Sequence, residues 1–345
     1  MLTIHKEDLA PILEDYGVAG GLAGLAELQR YDYESLGPDA REVRLILRAD
    51  LEDGRSLVLR LKNEPDAPLA LMEAQSRFAQ LLRAKGVETP RACRSGDAYA
   101  RRYDLHGYPV IAVLEDFVPG EIKAVDLRTA EDTGALLARM HNIAEACDAH
   151  VDGEVLFDPL MRNDLFSTED FTAYEPFLTA LDDSLYRDIL LRQEQLFSRL
   201  RTRENAPRFA VQGDISDCNL YRTAAGRLGI FDFNRCGDNV PFFDAVMQGV
   251  FEARLMDYPE DLGPDREQRV LTAFLRGYDR ERPFTAEERA LYPALYALID
   301  AFWLGDIRWN EGSLWKCAEA GDREGAKAWM ETIHRRIWAA PEMPL

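Results

Sequence analysis

Three side chains carry the chemistry open to this sequence: Asp214, Asn219 and Asp232. The stretch Gln212-Gly213-Asp214-Ile215-Ser216-Asp217-Cys218-Asn219 sets an Asp five positions before an Asn. Ile230-Phe231-Asp232-Phe233 then adds a second Asp on what reads as the next strand. Phosphoryl transfer from a nucleoside triphosphate uses this order: the first Asp orients the acceptor hydroxyl and takes its proton, while the Asn and the second Asp hold a magnesium ion. Two acidic oxygens and one amide oxygen suit a hard cation. Singly, each residue is ordinary turn chemistry, because Asx side chains abound in turns. Their order and spacing together carry the reading.

The local pattern supplies elements to position them. Phe209-Ala210-Val211 is a short apolar run entering the Gly-Asp turn, Leu220-Tyr221 leaves it as a strand, and Ala224-Ala225-Gly226 reads as a hairpin turn into Leu228-Gly229-Ile230-Phe231. Upstream, Val43–Leu51 and Ser56–Lys62 alternate polar and apolar residues around the turn Glu52-Asp53-Gly54-Arg55. Arg60 and Lys62, two apart, share one face of that second strand. A helix is expected over Leu69–Lys85, with Leu71, Phe78, Leu81 and Leu82 on its apolar side and Gly86 as its stop. Tyr108–Gly120 reads as a last strand closing on Pro119-Gly120, and Asp126–Glu145 as an amphipathic helix. Beyond residue 240 the pattern is mostly helical and without repeats. There Trp303, Asp306 and Asn310 are expected on one helix face at i, i+3 and i+7, an aromatic-plus-acid set suited to an ammonium group. The glycines of Gly17–Gly24 lack the G-K-[ST] of a phosphate loop. The loop Tyr33–Arg41, between the first two strands, is the expected phosphate cover, with Ser35 and the backbone of Gly37 in contact and Arg41 or Arg44 nearby.

On these motifs the chain resembles the aminoglycoside phosphotransferase/choline kinase-like branch of the protein-kinase-like fold. That family carries H-G-D-x-x-x-x-N, a hairpin to an I-D-F/W-D segment, and a further Asp in a D-L-A-like helix start. The matching residues here are Gln212-Gly213-Asp214 with Asn219, then Phe231-Asp232-Phe233, then Phe243-Asp244-Ala245-Val246. The resemblance implies an α+β, two-lobed fold. An N-terminal nucleotide-binding lobe of residues 1–114 would hold a small antiparallel sheet with one key helix. A hinge of 115–120 and a larger, mostly helical catalytic and acceptor-binding lobe of 121–345 would follow. It implies Asp214 as catalytic base, Asn219 and Asp232 as Mg²⁺ ligands, and Asp244 as the structural acid bracing the catalytic loop. Arg60, with Lys62 as its substitute, would contact the triphosphate of ATP or GTP and be fixed by an ion pair to Glu73. The backbone around Glu115, Phe117 and Val118 would bind the purine, and Trp303, Asp306 and Asn310 would line the acceptor site. His141, in a segment similar to the family's L-A-x-L-H, is expected to be structural. Two departures stand out: Gln212 where the family has His, and Asn234 where many relatives carry an acid. Gln, like His, can donate and accept.

The implied activity is transfer of the γ-phosphoryl of ATP or GTP to a hydroxyl of a small, amine-bearing acceptor of aminoglycoside, amino alcohol or homoserine type. Three alternatives stay open. A protein Ser/Thr kinase would share the nucleotide contacts, although no D-F-G or A-P-E mark is present. A nucleotide-binding regulator without turnover is suggested by Gln212. A metal-dependent hydrolase using the Asp pair would need no basic strand residue.

Composition bounds the rest. At 345 residues the chain exceeds the usual limit of one core. A formal charge of −20 argues against nucleic acid and anionic membrane surfaces as partners. No apolar run approaches 18 residues and the first residues lack an apolar signal region, so a cytoplasmic protein, monomer or homodimer, is expected. Five widely spaced cysteines, without a C-x-x-C pair, fit reduced thiols rather than disulfides or a zinc site.

Overall fold

The computed structural model describes residues 2–32, 42–161, 166–215 and 219–345. They fall into two compact units. One comprises residues 1–122 with 151–153 and 217–236; the other comprises 123–150, 154–216 and 237–345. The unit boundary at residue 122 lies just past the expected hinge. The hairpin of 217–236 belongs with the first unit, a return that a linear division of the chain cannot express.

In the first unit, helix α1 (Lys6–Asp15) precedes strands β1 (Leu22–Asp32), β2 (Val43–Leu51) and β3 (Ser56–Asn63), helix α2 (Leu69–Ala84), and strands β4 (Ala100–Leu105) and β5 (Tyr108–Asp116). The strands form one antiparallel sheet in the order β1-β2-β3-β5-β4. Alternation decides what each face holds. Leu45 and Leu47 of β2, Leu57, Leu59 and Leu61 of β3, and Val110, Ala112 and Leu114 of β5 join Leu9, Ile12 and Leu13 of α1 in one buried core. The residues between them, Arg48, Val58, Arg60, Lys62 and Glu115 among them, are thereby committed to the opposite face. There Met72 of α2 packs with Ala100, Ile111 and Val113. The helix at 69–84 stops one residue short of its expected end, with Lys85 as C-cap and Gly86 at φ +91°.

In the second unit come α3 (Leu127–Ala146), the short α4 (Thr168–Thr172), α5 (Glu175–Leu200) and strand β6 (Phe209–Val211). The chain then returns to the first unit for the hairpin β7 (Leu220–Arg222) and β8 (Leu228–Ile230). Strand β9 (Gly237–Asn239), paired with β6, leads into α6 (Pro241–Leu255), α7 (Arg266–Glu281), α8 (Ala286–Ala301), α9 (Leu314–Ala320) and α10 (Arg323–Ala339). Asp126 caps α3 by accepting the Thr129 N–H at 2.7 Å. Thr285 and Glu288 form a reciprocal capping box on α8.

The expected helix face through Trp303, Asp306 and Asn310 is not formed. Helix α8 ends at Ala301, and Gly305–Trp309 is a single π turn closed by the Asn310 N–H on Gly305 O at 2.8 Å. Asn310 itself is extended (φ −70°, ψ 153°), so the three residues do not share one helical stripe.

No helix among the described residues is long and apolar enough to cross a membrane. Cys93, Cys147, Cys236 and Cys317 form no disulfide, and Cys218 lies outside the described residues.

Helices α3 and α7 touch backbone to backbone. A Cβ on Gly134 would lie 1.9 Å from Phe274 O, and one on Gly277 would lie 1.9 Å from Glu131 O. Overpacking a dense core costs about 1–3 kcal/mol, occasionally more. Gly277→Ala is therefore expected to destabilise the protein by about 3 kcal/mol, read as a shift of the denaturant midpoint. An unchanged midpoint would show that the helices can separate without cost.

Candidate active site

Within the first unit, β3, β5 and the β7–β8 hairpin line a pocket of about 660 Å³. Its wall includes Ile46, Val58 and Phe231, the segment Glu115–Gly120, and the polar side chains Arg60, Asn219 and Asp232. The hairpin places the last two. The Phe231 N–H donates to Asn219 O at 2.9 Å, so Asn219 and Asp232 flank the ends of paired strands, as the spacing predicts. Asp232 sits in the left-handed region at φ +57°, a conformation Asp tolerates better than most residues.

Of Arg60 and Lys62, Arg60 lines this pocket, together with Arg48 of β2. The Arg60 Nε donates to Glu115 Oε1 at 3.0 Å and its Nη1 to Asp232 Oδ2 at 3.1 Å. Burial opposes the guanidinium's charge, but the two carboxylates outweigh it and raise its pKa further. Asp232 answers in kind: burial disfavours its charge, yet Arg60 and Lys62 hold its carboxyl below the usual range. Lys62 points to the same face but is buried. Its ammonium donates to Asn234 Oδ1 at 2.6 Å and lies 3.8 Å from Glu64, which also pairs with Arg44 at 2.7 Å. Burial, then repulsion from Arg44, pushes Lys62 down to about 8.

The expected ion pair between Arg60 and Glu73 is not made. Glu73 Oε2 accepts the N–H groups of Tyr99 and Ala100 at 2.6 and 2.8 Å, and Oε1 pairs with Arg77 at 2.6 Å. It ties α2 to β4. From α2, Gln75 reaches the segment after the hairpin, its Nε2 donating to Asn234 O and Cys236 O, and Phe78 packs against Phe233.

The segment at the end of β5 is tied back to its neighbours. Arg91 O accepts the Asp116 N–H and Ser56 O the Phe117 N–H, both at 2.9 Å, and Glu115 pairs with Val58 in the sheet. These bonds engage the N–H groups of Asp116 and Phe117, so a purine donor or acceptor here would meet carbonyl oxygens or the N–H of Val118. Three successive side chains here are each held by an arginine. Glu115 is held by Arg60, Asp116 by a bidentate pair with Arg91 at 2.8 and 3.0 Å, and Phe117 by Arg48, 4.4 Å above its ring. Ser35 and the loop 33–41 lie outside the described residues.

Asp214 belongs to the second unit. Gly213 before it takes φ +81°, a turn only glycine enters freely. Gln212 is fully buried and its Oε1 accepts the Asp214 N–H at 2.8 Å, so the residue in the family's His position closes the turn itself. The Ile215 N–H donates to Gln248 Oε1 at 3.0 Å, and Gln248 Nε2 donates to Asp244 Oδ1 at 3.2 Å. Asp244 Oδ2 lies 3.0 Å from His141 Nε2, and His141 Nδ1 lies 2.8 Å from the Tyr278 hydroxyl. With Asp244 ionised, His141 donates through Nε2 and accepts from Tyr278. Two donor chains therefore converge on Asp244, one from Tyr278 through His141 and one from the Ile215 N–H through Gln248. Asp244 thus reaches the loop through Gln248. Sequence reasoning missed Gln248, although it stands at i+4 from Asp244 on α6, the spacing that makes helix neighbours.

Trp303 and Asp306 have structural partners. Arg254 lies 5.2 Å from the Trp303 ring centroid, and Asp306 accepts from Arg336 at 2.7 Å. Asn310 is exposed.

Comparison with known proteins bears on the family and the fold. The sequence signature described as "Phosphotransferase enzyme family" matches residues 46–284. A homoserine kinase of Polaromonas naphthalenivorans (strain CJ2) is 29% identical over 223 residues, which cover 64% of this chain and 65% of that kinase, a little under two thirds of its length. Among solved structures, the amicoumacin kinase hAmiN in complex with AMP-PNP, Ca²⁺ and Ami aligns with a TM-score of 0.56 at 16% identity, covering 96% of both chains. A microcompartment-associated aminopropanol kinase aligns with a TM-score of 0.55 at 14% identity, again over 96% of both. At such identities the likeness is one of fold.

Two substitutions test the loop's construction. Gln248→Leu strands the buried Ile215 N–H and one oxygen of Asp244, and an unsatisfied buried polar group costs about 1–3 kcal/mol. Gly213→Ala forces alanine into the left-handed region, at about 1–2 kcal/mol. Both losses should appear in denaturant unfolding. Full wild-type stability in Gln248→Leu would mean that the loop does not depend on this bond.

Proposed function

Because the chain belongs to the phosphotransferase enzyme family, we propose that it is a small-molecule kinase. It transfers the γ-phosphoryl group of ATP or GTP to a hydroxyl of a small, amine-bearing acceptor. The observation that carries this reading is the convergence of Arg60, Asn219 and Asp232 on one pocket of nucleotide size. A basic group for phosphate, an amide oxygen and a carboxylate are the parts a donor site needs.

The donor set fits a magnesium ion. Among the described residues no three His, Cys, Asp or Glu side chains cluster into an all-protein metal cage. Mg²⁺ takes one or two carboxylates and keeps the rest of its shell for water and substrate phosphates. Asn219 and Asp232 would hold it, and when bound it neutralises charge on the phosphate oxygens. Arg60 contacts the triphosphate, and Val118 offers its N–H to the purine. Asp214 aligns the acceptor hydroxyl and takes its proton as that oxygen bonds to the γ-phosphorus. The bond from the γ-phosphorus to the bridging oxygen breaks, and the nucleoside diphosphate leaves. Gln212 and Asp244 position the loop. In this division of labour residues of the first unit bind the nucleotide, and the second unit carries Asp214 and the acceptor contacts.

Two observations support an amine-bearing acceptor. Homoserine and aminopropanol, named for two of the similar kinases, each join an amine to a hydroxyl. The formal charge of −20 favours cationic substrates. Trp303, Asp306 and Asn310 remain candidate acceptor contacts.

Asp214→Ala is expected to lower the rate by about 10²–10⁴-fold while leaving the unfolding transition in place. Asp232→Ala should abolish the metal-dependent part of thermal stabilisation by Mg-ATP or Mg-GTP. Assays would use a panel of homoserine, amino alcohols and aminoglycosides. Undiminished turnover in Asp214→Ala would refute the mechanism.

A further inference from the structure

We propose that the side chain of Glu115 is the positioning residue for Arg60 at the donor phosphates, the role the helix acid Glu73 was expected to fill. The inference rests on the phosphotransfer reading above and deepens it.

Arg60 is fixed at two points, Glu115 and Asp232, and the two are not equivalent. Asp232 is a proposed metal ligand, so its oxygens have a second claimant when nucleotide and metal arrive. Glu115 has no such duty, and its contact through the Arg60 Nε leaves the outer face of the guanidinium to phosphate oxygens. The sheet sets the geometry. Arg60 pairs across the strands with Val113 and Val58 with Glu115, so Arg60 and Glu115 are diagonal neighbours on one face of adjacent strands. A partner held by strand pairing is positioned more rigidly than one on a helix that packs only by its side chains. Arg60 and Glu115 expose 11% and 17% of their side chains, so removing one carboxylate leaves a guanidinium poorly compensated and free to reorient toward the other. Glu73, meanwhile, is spent on Tyr99, Ala100 and Arg77, all on or beside α2 and β4.

The roles separate by experiment. Dissociation constants of Mg-ATP and Mg-GTP are measured by calorimetry, which needs no acceptor, for wild type, Glu115→Ala, Glu115→Gln and Glu73→Gln. Glu115→Ala should weaken nucleotide binding tenfold or more. Glu115→Gln, which keeps one acceptor oxygen for Arg60, should recover part of the loss. Glu73→Gln should lower the melting temperature yet bind nucleotide within twofold of wild type. If Glu115→Ala fails to fold, the isosteric Glu115→Gln carries the same test with a smaller expected loss of threefold or more. Binding within twofold of wild type in the folded Glu115 variants, or an equal loss in Glu73→Gln, overturns the assignment alone. A wild type that binds neither nucleotide overturns the phosphotransfer reading and this inference with it.

Discussion

A guanidinium held between two carboxylates organises the first unit. Arg60 is largely withdrawn from water, and a charge so placed is tolerable only when its partners are fixed. One partner comes from β5 and the other from the end of the β7–β8 hairpin, segments more than 100 residues apart in sequence. The hairpin must therefore return to the sheet of the first unit, and it does so through further ties. The Ile230 N–H donates to Glu88 O, and Lys62 and Gln75 bond to Asn234. The electrostatics of the pocket and the path of the chain are one constraint.

The second unit meets a parallel demand with a different solution. Its loop at 212–215 is held by two side-chain amides: Gln212 accepts the Asp214 N–H, and Gln248 accepts the Ile215 N–H while donating to the buried carboxylate of Asp244. His141, itself bonded to Tyr278, satisfies one oxygen of that carboxylate and Gln248 the other. The chain needs α3 and α7 close enough for Tyr278 to reach His141. Gly134 and Gly277 allow that approach by leaving no side chain between the helices.

Much of this was legible in the sequence, for physical reasons. The β2–β3 hairpin announces itself by two mostly alternating runs around the turn at Asp53-Gly54. The hairpin between Asn219 and Asp232 is legible because a short turn between apolar runs fixes which residues end its strands. What was hidden is pairwise. Glu73 and Glu115 are both acids at plausible positions, and only strand register shows which one faces Arg60. Hydrogen bonding across the fold shows that the N–H groups of Asp116 and Phe117 are already engaged. The stretch after Ala301 misleads because its residues favour a helix, while a π turn and buried packing of Trp303 interrupt the period.

At φ +57° Asp232 holds a conformation that glycine adopts with no steric penalty. The turn itself therefore does not call for the carboxylate, and Asp232→Gly would cost the turn little. Glycine at this position would keep the turn yet leave Arg60 paired to Glu115 alone, its Nη1 released from a carboxylate and open to anions.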